Sequence, residues 1–447
     1  MRNGVIIIIN SEQIKISTLI VQIVSVVLII MAYITTRSLV FVAGGICFLF
    51  LLSNVGWEQR YSLLFFLFPF CWVFTYKVGV TSVYMLLRIA LLISVILYNR
   101  KIITTNYVLM CIILVFYLSA VSFGNFMESL KDIINILLWL TIGYVMQATI
   151  DADNILPIGR SFSNGVILSG IVGMNVSLIP NLQQQMRVME SVGYNDQVYS
   201  RFRGLFSDPN GFTIIVCMAL YSAYYDLSKN KISVGEYSAR AILLTFFGAM
   251  TMSKSCIILI VIYWVYVIFS VNNVKPIVKM FISSVIIGFA VYFLSTNPDW
   301  IQNMMLRFLR GKSYRSNISV NDITTGRTDI WGMYFDYLYH TNSWFWGNGL
   351  RAALLRGRGT HNTLLQLLYS VGLVGTIIYY KIIKYIYITV PQDKLISGSN
   401  KIGIWALLML FATMFFLGGL LMEIYYYMLP LCFIYMKSYK ENDISLT

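Results

Sequence analysis

The chain has 447 residues, 58% of them hydrophobic and only 12% charged, with a formal net charge of +14. Soluble domains carry about 25% charged residues, so this composition cannot cover the surface of a water-soluble globule and excludes one. The basic excess does not indicate nucleic acid either: the lysines and arginines punctuate apolar spans, a distribution that reads as membrane orientation plus an anionic lipid or substrate.

At the N-terminus, Val5 to Ile9 is a short apolar run followed by Ser11, Glu12 and Lys15. A signal peptidase would need small residues there, so no cleaved signal is expected and the first span begins after Lys15. A helix crosses a hydrocarbon core of roughly 30 Å in about 20 residues. That ruler predicts spans near 16–35, 38–55, 61–75, 80–98, 106–123, 133–149 and 161–180. A second set follows near 211–226, 240–252, 255–271, 278–295, 362–380, 402–417 and 420–437. The predicted architecture is thus a single all-α integral membrane domain over residues 1–447 with about fourteen transmembrane helices.

Two polar stretches interrupt the series, 181–210 and 295–361. Short linkers carry Arg100 and Lys101, Lys229, Lys231 and Arg240, Lys275 and Lys279, and Lys381, Lys384, Lys394 and Lys401. If these face the cytoplasm, both termini lie inside and both long loops outside. The arrangement depends on 240–271 being two helices. As one helix it would be about 46 Å long and would bury Lys254 at a cost of about 2.5–3.5 kcal/mol. A break at Ser253-Lys254-Ser255 is therefore predicted.

The six cysteines (Cys47, Cys71, Cys111, Cys217, Cys256, Cys432) all fall in apolar stretches, which implies packing rather than disulfides or metal. Asp151-Ala152-Asp153 has the D-x-D form of metal-dependent glycosyltransferases, but this topology puts it in a cytoplasmic turn. Neither a metal nor a cofactor is expected.

The residues able to do chemistry gather at the loops. Arg201 and Arg203 precede Gly204, Asp208, Pro209 and Asn210, with a span following at once. Asp208 suits an N-cap and Pro209 the first helical position, so a helix N-terminus points outward beside two arginines. Helix N-termini and arginine forks both favour phosphate, while the same residues also describe a capped helix with arginines on lipid headgroups. Lys254 repeats the theme more weakly, since lysines commonly snorkel at helix ends. In the second loop, residues 301–311 carry an amphipathic pattern with Arg307 and Arg310, suited to lying on the membrane surface. A second short helix opens at Gly326-Arg327 and continues through Trp331, Tyr334 and Tyr337, aromatics that can stack on sugars or simply pack. Gly347-Asn348-Gly349 marks a turn, and Thr360-His361-Asn362 opens the next span. Thr360 is the expected cap, with His361 in the first turn, where the positive helix end favours a neutral imidazole. Such a ring suits a general base; an interfacial histidine bonded to backbone is the plainer alternative. Arg88, within a span, is predicted to pair with Asp132 or to bind a lipid phosphate.

In these loops the chain resembles the O-antigen polymerase and O-antigen ligase superfamily of bacterial envelope enzymes. The resemblance is carried, over about 200–380, by Arg201-x-x-Gly204 with Asp208-Pro209-Asn210, Ser253-Lys254, Gly326-Arg327-x-x-Ile330-Trp331, Gly347-x-Gly349 and His361-Asn362-x-x-Leu365. Family members often have arginine where Lys254 stands. The resemblance implies a metal-independent GT-C-type glycosyltransferase of the bacterial inner membrane, active at the periplasmic face. Its donor would be an undecaprenyl-pyrophosphate-linked oligosaccharide. Arg201, with Arg203 or Arg327, would hold the pyrophosphate; Lys254, Asp208, Asn210, Trp331 and Asn362 would line the substrate site; His361 would take the acceptor proton. Outside the resemblance, Arg88 is added to the substrate-binding residues as a charge within a span. Implied partners are the lipid-linked glycan, membrane lipid and a chain-length regulator. A polymerase is the favoured member; a ligase transferring the glycan to lipid A core is the alternative. From another class, a lipid-linked oligosaccharide flippase would place its charges along the spans rather than on outer loops.

Overall fold

The computed structural model describes residues 11–77, 82–151, 154–191, 202–251, 253–270, 326–389, 401–416 and 423–436. The described residues form helices and connecting turns, with no strand among them. In chain order the helices are α1 (Ser11–Ile34), α2 (Leu39–Leu52), α3 (Trp57–Leu67), α4 (Tyr84–Asn99), α5 (Thr105–Val121), α6 (Phe126–Thr149) and α7 (Ile155–Met174). Then come α8 (Pro180–Ser191), α9 (Pro209–Ser228), α10 (Val234–Met250) and α11 (Lys254–Ser270). After the undescribed 271–325 follow α12 (Arg327–Thr341), α13 (Thr363–Lys384), α14 (Lys401–Phe416) and α15 (Glu423–Met436). Among the described residues, three stretches are long and apolar enough to cross a membrane: Phe123–Thr149, Ile155–Met174 and Thr363–Ile388. Several shorter helices are comparably apolar. The predicted span 278–295 and the amphipathic stretch 301–311 lie outside the described residues.

The outer face of the bundle is apolar, as a bilayer demands. In α1, Thr18, Gln22 and Ser25 are buried, while Leu19, Ile20, Ile23, Val24 and Val27 are exposed. Polar groups face inward and hydrocarbon outward, the reverse of a soluble amphipathic helix. Gln22 uses its inward position to donate to the Ser62 carbonyl at 3.2 Å and to Ser161 Oγ at 3.2 Å.

At the centre stands α9, buried on every face from Gly211 to Asp226 and packed by α7, α10, α11, α14 and α15. A helix apolar all round has no solvent face to present, so it takes the core position. Beside it, α3 is buried from Arg60 to Leu67 and passes through a short 3-10 turn at Phe68–Phe70, where Pro69 removes an amide donor. The irregular backbone that follows is tolerated only because side chains satisfy its carbonyls. Tyr33 donates to the Val73 carbonyl at 2.7 Å and Ser82 to that of Phe74 at 2.7 Å, while Tyr84 reaches back to the Leu64 carbonyl within α3 at 2.8 Å. Buried Arg60 likewise closes the end of α2, donating to the carbonyls of Leu51 at 2.9 Å and Ser53 at 2.7 Å.

The predicted break in 240–271 is present: α10 ends at Met250 and α11 begins at Lys254. Hydroxyls compete with the helical ladder there. Thr251 Oγ1 donates back to the Gly248 carbonyl at 2.7 Å and accepts from the Ser253 amide at 3.3 Å.

A second interruption, not anticipated from the sequence, divides α13. Gly372 has φ 63° and ψ −174°, a region only glycine enters readily. The loop before α13 docks onto this kink backbone to backbone. The amides of Asn348 and Gly349 donate to Tyr369 and Ser370 at 2.9 and 2.8 Å, and the amide of Leu373 donates to Trp344 at 2.8 Å. Gly347 also has positive φ, and a Cβ there would lie 2.5 Å from the Ser370 carbonyl oxygen. Gly347-x-Gly349 is therefore a docking surface for the broken helix as well as a turn. Tyr117 of α5 completes the joint, donating to the carbonyls of Trp346 and Val371 at 2.9 and 2.8 Å.

Candidate active site

Four helix N-termini meet at one end of the bundle. Asp208 caps α9, its Oδ2 accepting from the Gly211 amide at 2.8 Å, with Pro209 at the first helical position as predicted. Two residues on, Asn210 Oδ1 accepts from Ser253 Oγ at 3.1 Å, which ties the start of α9 to the start of α11, where Lys254 is the first residue. The start of α12 joins α13 through Trp331, whose indole Nε1 donates to the Thr360 carbonyl at 2.9 Å. His361 links three of these elements, because it lies within electrostatic reach of both Arg327 at the start of α12 and Asp208 at the start of α9.

The local backbone around His361 differs from the sequence expectation. Asn362 is the N-cap of α13, accepting from the Leu365 amide at 3.0 Å, so Thr360 is not the cap and His361 precedes the helix. Thr360 instead braces the turn, with its Oγ1 donating to the Asn362 carbonyl at 3.0 Å. His361 itself has φ 48°, the left-handed region that non-glycine residues seldom occupy. Strain of this kind is held by surrounding structure, here the Trp331 and Thr360 contacts on one side and the Asn362 cap on the other. The outcome is a ring set ahead of the helix, keeping an exposed edge, rather than one folded into the first turn.

The electrostatics of that ring follow from its neighbours. Surrounding protein disfavours the imidazolium most, the Arg327 cation disfavours it further, and the Asp208 carboxylate partly offsets both; the net effect lowers the pKa below the ordinary 6.5. His361 is thus neutral at pH 7 and able to accept a proton, while Arg327 and the converging helix ends make the surroundings attractive to an anion.

The loop bearing His361 is moored at two further points. Arg351 NH2 donates to Asp132 Oδ1 of α6 at 2.8 Å; the carboxylate is buried and the guanidinium half-exposed. Tyr334, fully buried, accepts from the Leu355 amide at 3.2 Å and donates to the Arg358 carbonyl at 2.7 Å.

The other predicted site residues fall as follows. Arg201 lies outside the described residues. Arg203 is buried and turned into the protein, donating to the carbonyls of Ser207 at 2.8 Å and Met186, so its guanidinium shapes the turn before Asp208. Arg88 is buried with its guanidinium 5.6 Å from the ring of Trp139 and 6.0 Å from that of Tyr84. The Asp132 proposed as its partner pairs with Arg351. That contact spans 219 residues of sequence. The one signal for it was a carboxylate standing at the edge of an apolar span, which marks a partner without naming it. Among the described residues, no group of three or more His, Cys, Asp or Glu side chains gathers to hold a metal. Comparison with models of known families, with curated proteins and with solved structures finds no match for the chain.

Proposed function

We propose that this chain is an O-antigen (surface polysaccharide) polymerase: a metal-independent, GT-C-like glycosyltransferase of the bacterial inner membrane, with about fourteen spans and both termini cytoplasmic. It would join undecaprenyl-pyrophosphate-linked repeat units at the periplasmic face. One observation carries this reading: a neutral His361 beside Arg327, where four helix N-termini meet. Glycosyl transfer from a pyrophosphate donor needs a base for the acceptor hydroxyl and positive charge for the leaving group, and this arrangement offers both. The acceptor oxygen would bond to the anomeric carbon as the bond to the pyrophosphate oxygen breaks. The hydroxyl proton passes to the imidazole and then to water, and the pyrophosphate leaves on its lipid carrier. Arg327, with Arg201 and Lys254 assisting, would stabilise that leaving group. Asp208, Asn210, Trp331 and Asn362 would hold the helix ends and the His361 turn in register. Arg203 would shape the α9 turn.

A deletion strain examined by lipopolysaccharide gel tests the reaction class. Core carrying a single repeat unit is expected; bare core would identify a ligase instead, and an unchanged ladder would sink both. His361→Ala should slow chain extension by about 10²–10⁴-fold, the usual contribution of a positioned base. Near wild-type extension would remove the base role. Sidedness is checked by Arg358→Cys in the exposed loop, which should react with an impermeant thiol reagent only from the periplasm.

A further inference from the structure

Residues 343–350 lead from α12 toward His361 and carry Trp344-Phe345-Trp346, three aromatic side chains that all stand exposed. No Asp, Glu, Lys or Arg occurs between Asp336 and Arg351. The backbone of the segment is nonetheless bonded to protein. The carbonyls of Trp344, Phe345 and Trp346 accept from the Leu373 amide at 2.8 Å, the Val374 amide at 3.2 Å and the Tyr117 hydroxyl at 2.9 Å. The amides of Gly347, Asn348, Gly349 and Leu350 donate to the carbonyls of Ser343, Tyr369 and Ser370 and to Ser122 Oγ, at 2.7, 2.9, 2.8 and 3.1 Å. A loop in water can leave such groups to the solvent, whereas irregular backbone at membrane depth must find its partners within the protein. The break of α13 at Gly372 supplies several of them.

The helices holding this segment give its depth. At the end of the bundle away from the candidate site, Thr104, the N-cap of α5, and Tyr385, the C-cap of α13, meet hydroxyl to hydroxyl at 2.9 Å. The basic turn Arg100–Ile102 lies beside them and marks that edge of the membrane. From this level Tyr117 stands thirteen residues along α5, about 20 Å at 1.5 Å per residue, and Leu373 twelve residues along α13, about 18 Å. A hydrocarbon core of roughly 30 Å therefore continues about 10 Å beyond the loop, and any tilt of the helices sets the loop deeper. The neighbouring surface is apolar at the same level: Phe116, beside Tyr117, and Ile112 and Ile113 one turn below it are exposed.

We propose that residues 343–350 form a re-entrant loop whose Trp344, Phe345 and Trp346 side chains lie among the phospholipid acyl chains of the leaflet on the candidate-site side. The inference rests on the chain spanning a membrane and is independent of the reaction proposed above. Each aromatic ring presents a large apolar area, which water penalises and acyl chains do not. The loop follows α12, which starts at Arg327, and precedes the turn that holds His361. Its insertion thus fixes the height of both residues over the bilayer.

The test uses the full chain in nanodiscs of phosphatidylethanolamine and phosphatidylglycerol containing a phosphatidylcholine with a diazirine midway along one acyl chain. After illumination, peptide mapping should find Trp344, Phe345 and Trp346 labelled to a level comparable with Phe116, and the exposed residues 354–358 unlabelled. This arm needs no substitution, so it stands even where a variant fails to fold. In the second arm, Trp346→Cys and Phe345→Cys are each compared with Arg358→Cys for reaction with an impermeant thiol reagent, read peptide by peptide. Both loop variants should react about tenfold more slowly or less, because the reagent and the thiolate it needs are confined to water. Aromatics that stand in water, awaiting a glycan or a protein, would escape the acyl label while Phe116 takes it, and their cysteine variants would react as fast as Arg358→Cys. Either result overturns the proposal.

Discussion

Replacing Gly372 with alanine probes the joint on which the candidate site stands. At φ 63° and ψ −174°, an L residue is held in a sparsely populated region, at a cost of about 1–3 kcal/mol. The new Cβ would also fall on the Phe345 carbonyl oxygen and within 2.5 Å of the Gly347 amide nitrogen, both backbone atoms of the docked loop. Overpacking of that kind adds about 1–3 kcal/mol. The sum, about 2–6 kcal/mol, is a large part of the 5–15 kcal/mol that holds a typical domain. Five of the six cysteines are buried, so heating the detergent-solubilised protein with a thiol-reactive dye reports unfolding directly. Gly45→Ala is the control, since a Cβ there meets nothing within 4 Å and the position is helical. Gly372→Ala should unfold well below that control and should lose the proposed polymerisation activity even at temperatures where it remains folded. Equal midpoints for the two variants would refute the backbone-docking argument.

The remaining expectations concern charge and capping. A base with a lowered pKa stays deprotonated into mildly acidic pH, so the acidic limb of the rate profile should lie below 6.5. Arg327→Gln removes a cation that lowers the pKa and should move that limb to higher pH, while Asp208→Asn should move it lower; a limb indifferent to both substitutions would separate the limb from His361. In stability terms the unfolded state binds the extra proton first, so the contribution of His361 is complete above 6.5 and declines as pH falls from there toward the folded-state value. Arg351→Ala should destabilise by about 1–2 kcal/mol: loss of a hydrogen bond to a charged group is worth about 1.5–3 kcal/mol, and the half-exposed guanidinium discounts it. Asp132→Asn in the Arg351→Ala background should recover part of the loss, and a strictly additive double-mutant cycle would show that the pair does not act as a unit. Asn362→Ala should cost about 0.5–2 kcal/mol as a lost N-cap, and thermal unfolding of the variant against wild type measures it.

Local chemistry was legible in the chain. The Asp208-Pro209 helix start and the break before Lys254 depend on residues near one another, and those helix ends fell where the residues put them, whereas the span predicted over 61–75 is a helix only to Leu67. Arg327 at the start of its helix and His361 near the start of the next were readable for the same reason. Tertiary structure decided the rest. Asn362 and not Thr360 caps α13, while Thr360 is engaged elsewhere, its hydroxyl on the Asn362 carbonyl and its own carbonyl on the Trp331 indole across 29 residues. The kink at Gly372 exists because another segment supplies the backbone partners the helix gives up, and a glycine in an apolar run does not reveal who those partners are. Arg203 looked like half of a phosphate fork, yet in the fold its donors close a turn. Asp132 announced only that it needed a cation. Which of the 33 lysines and arginines answers it was settled by packing, because opposite charges inside an apolar bundle pair with whatever the fold brings within reach.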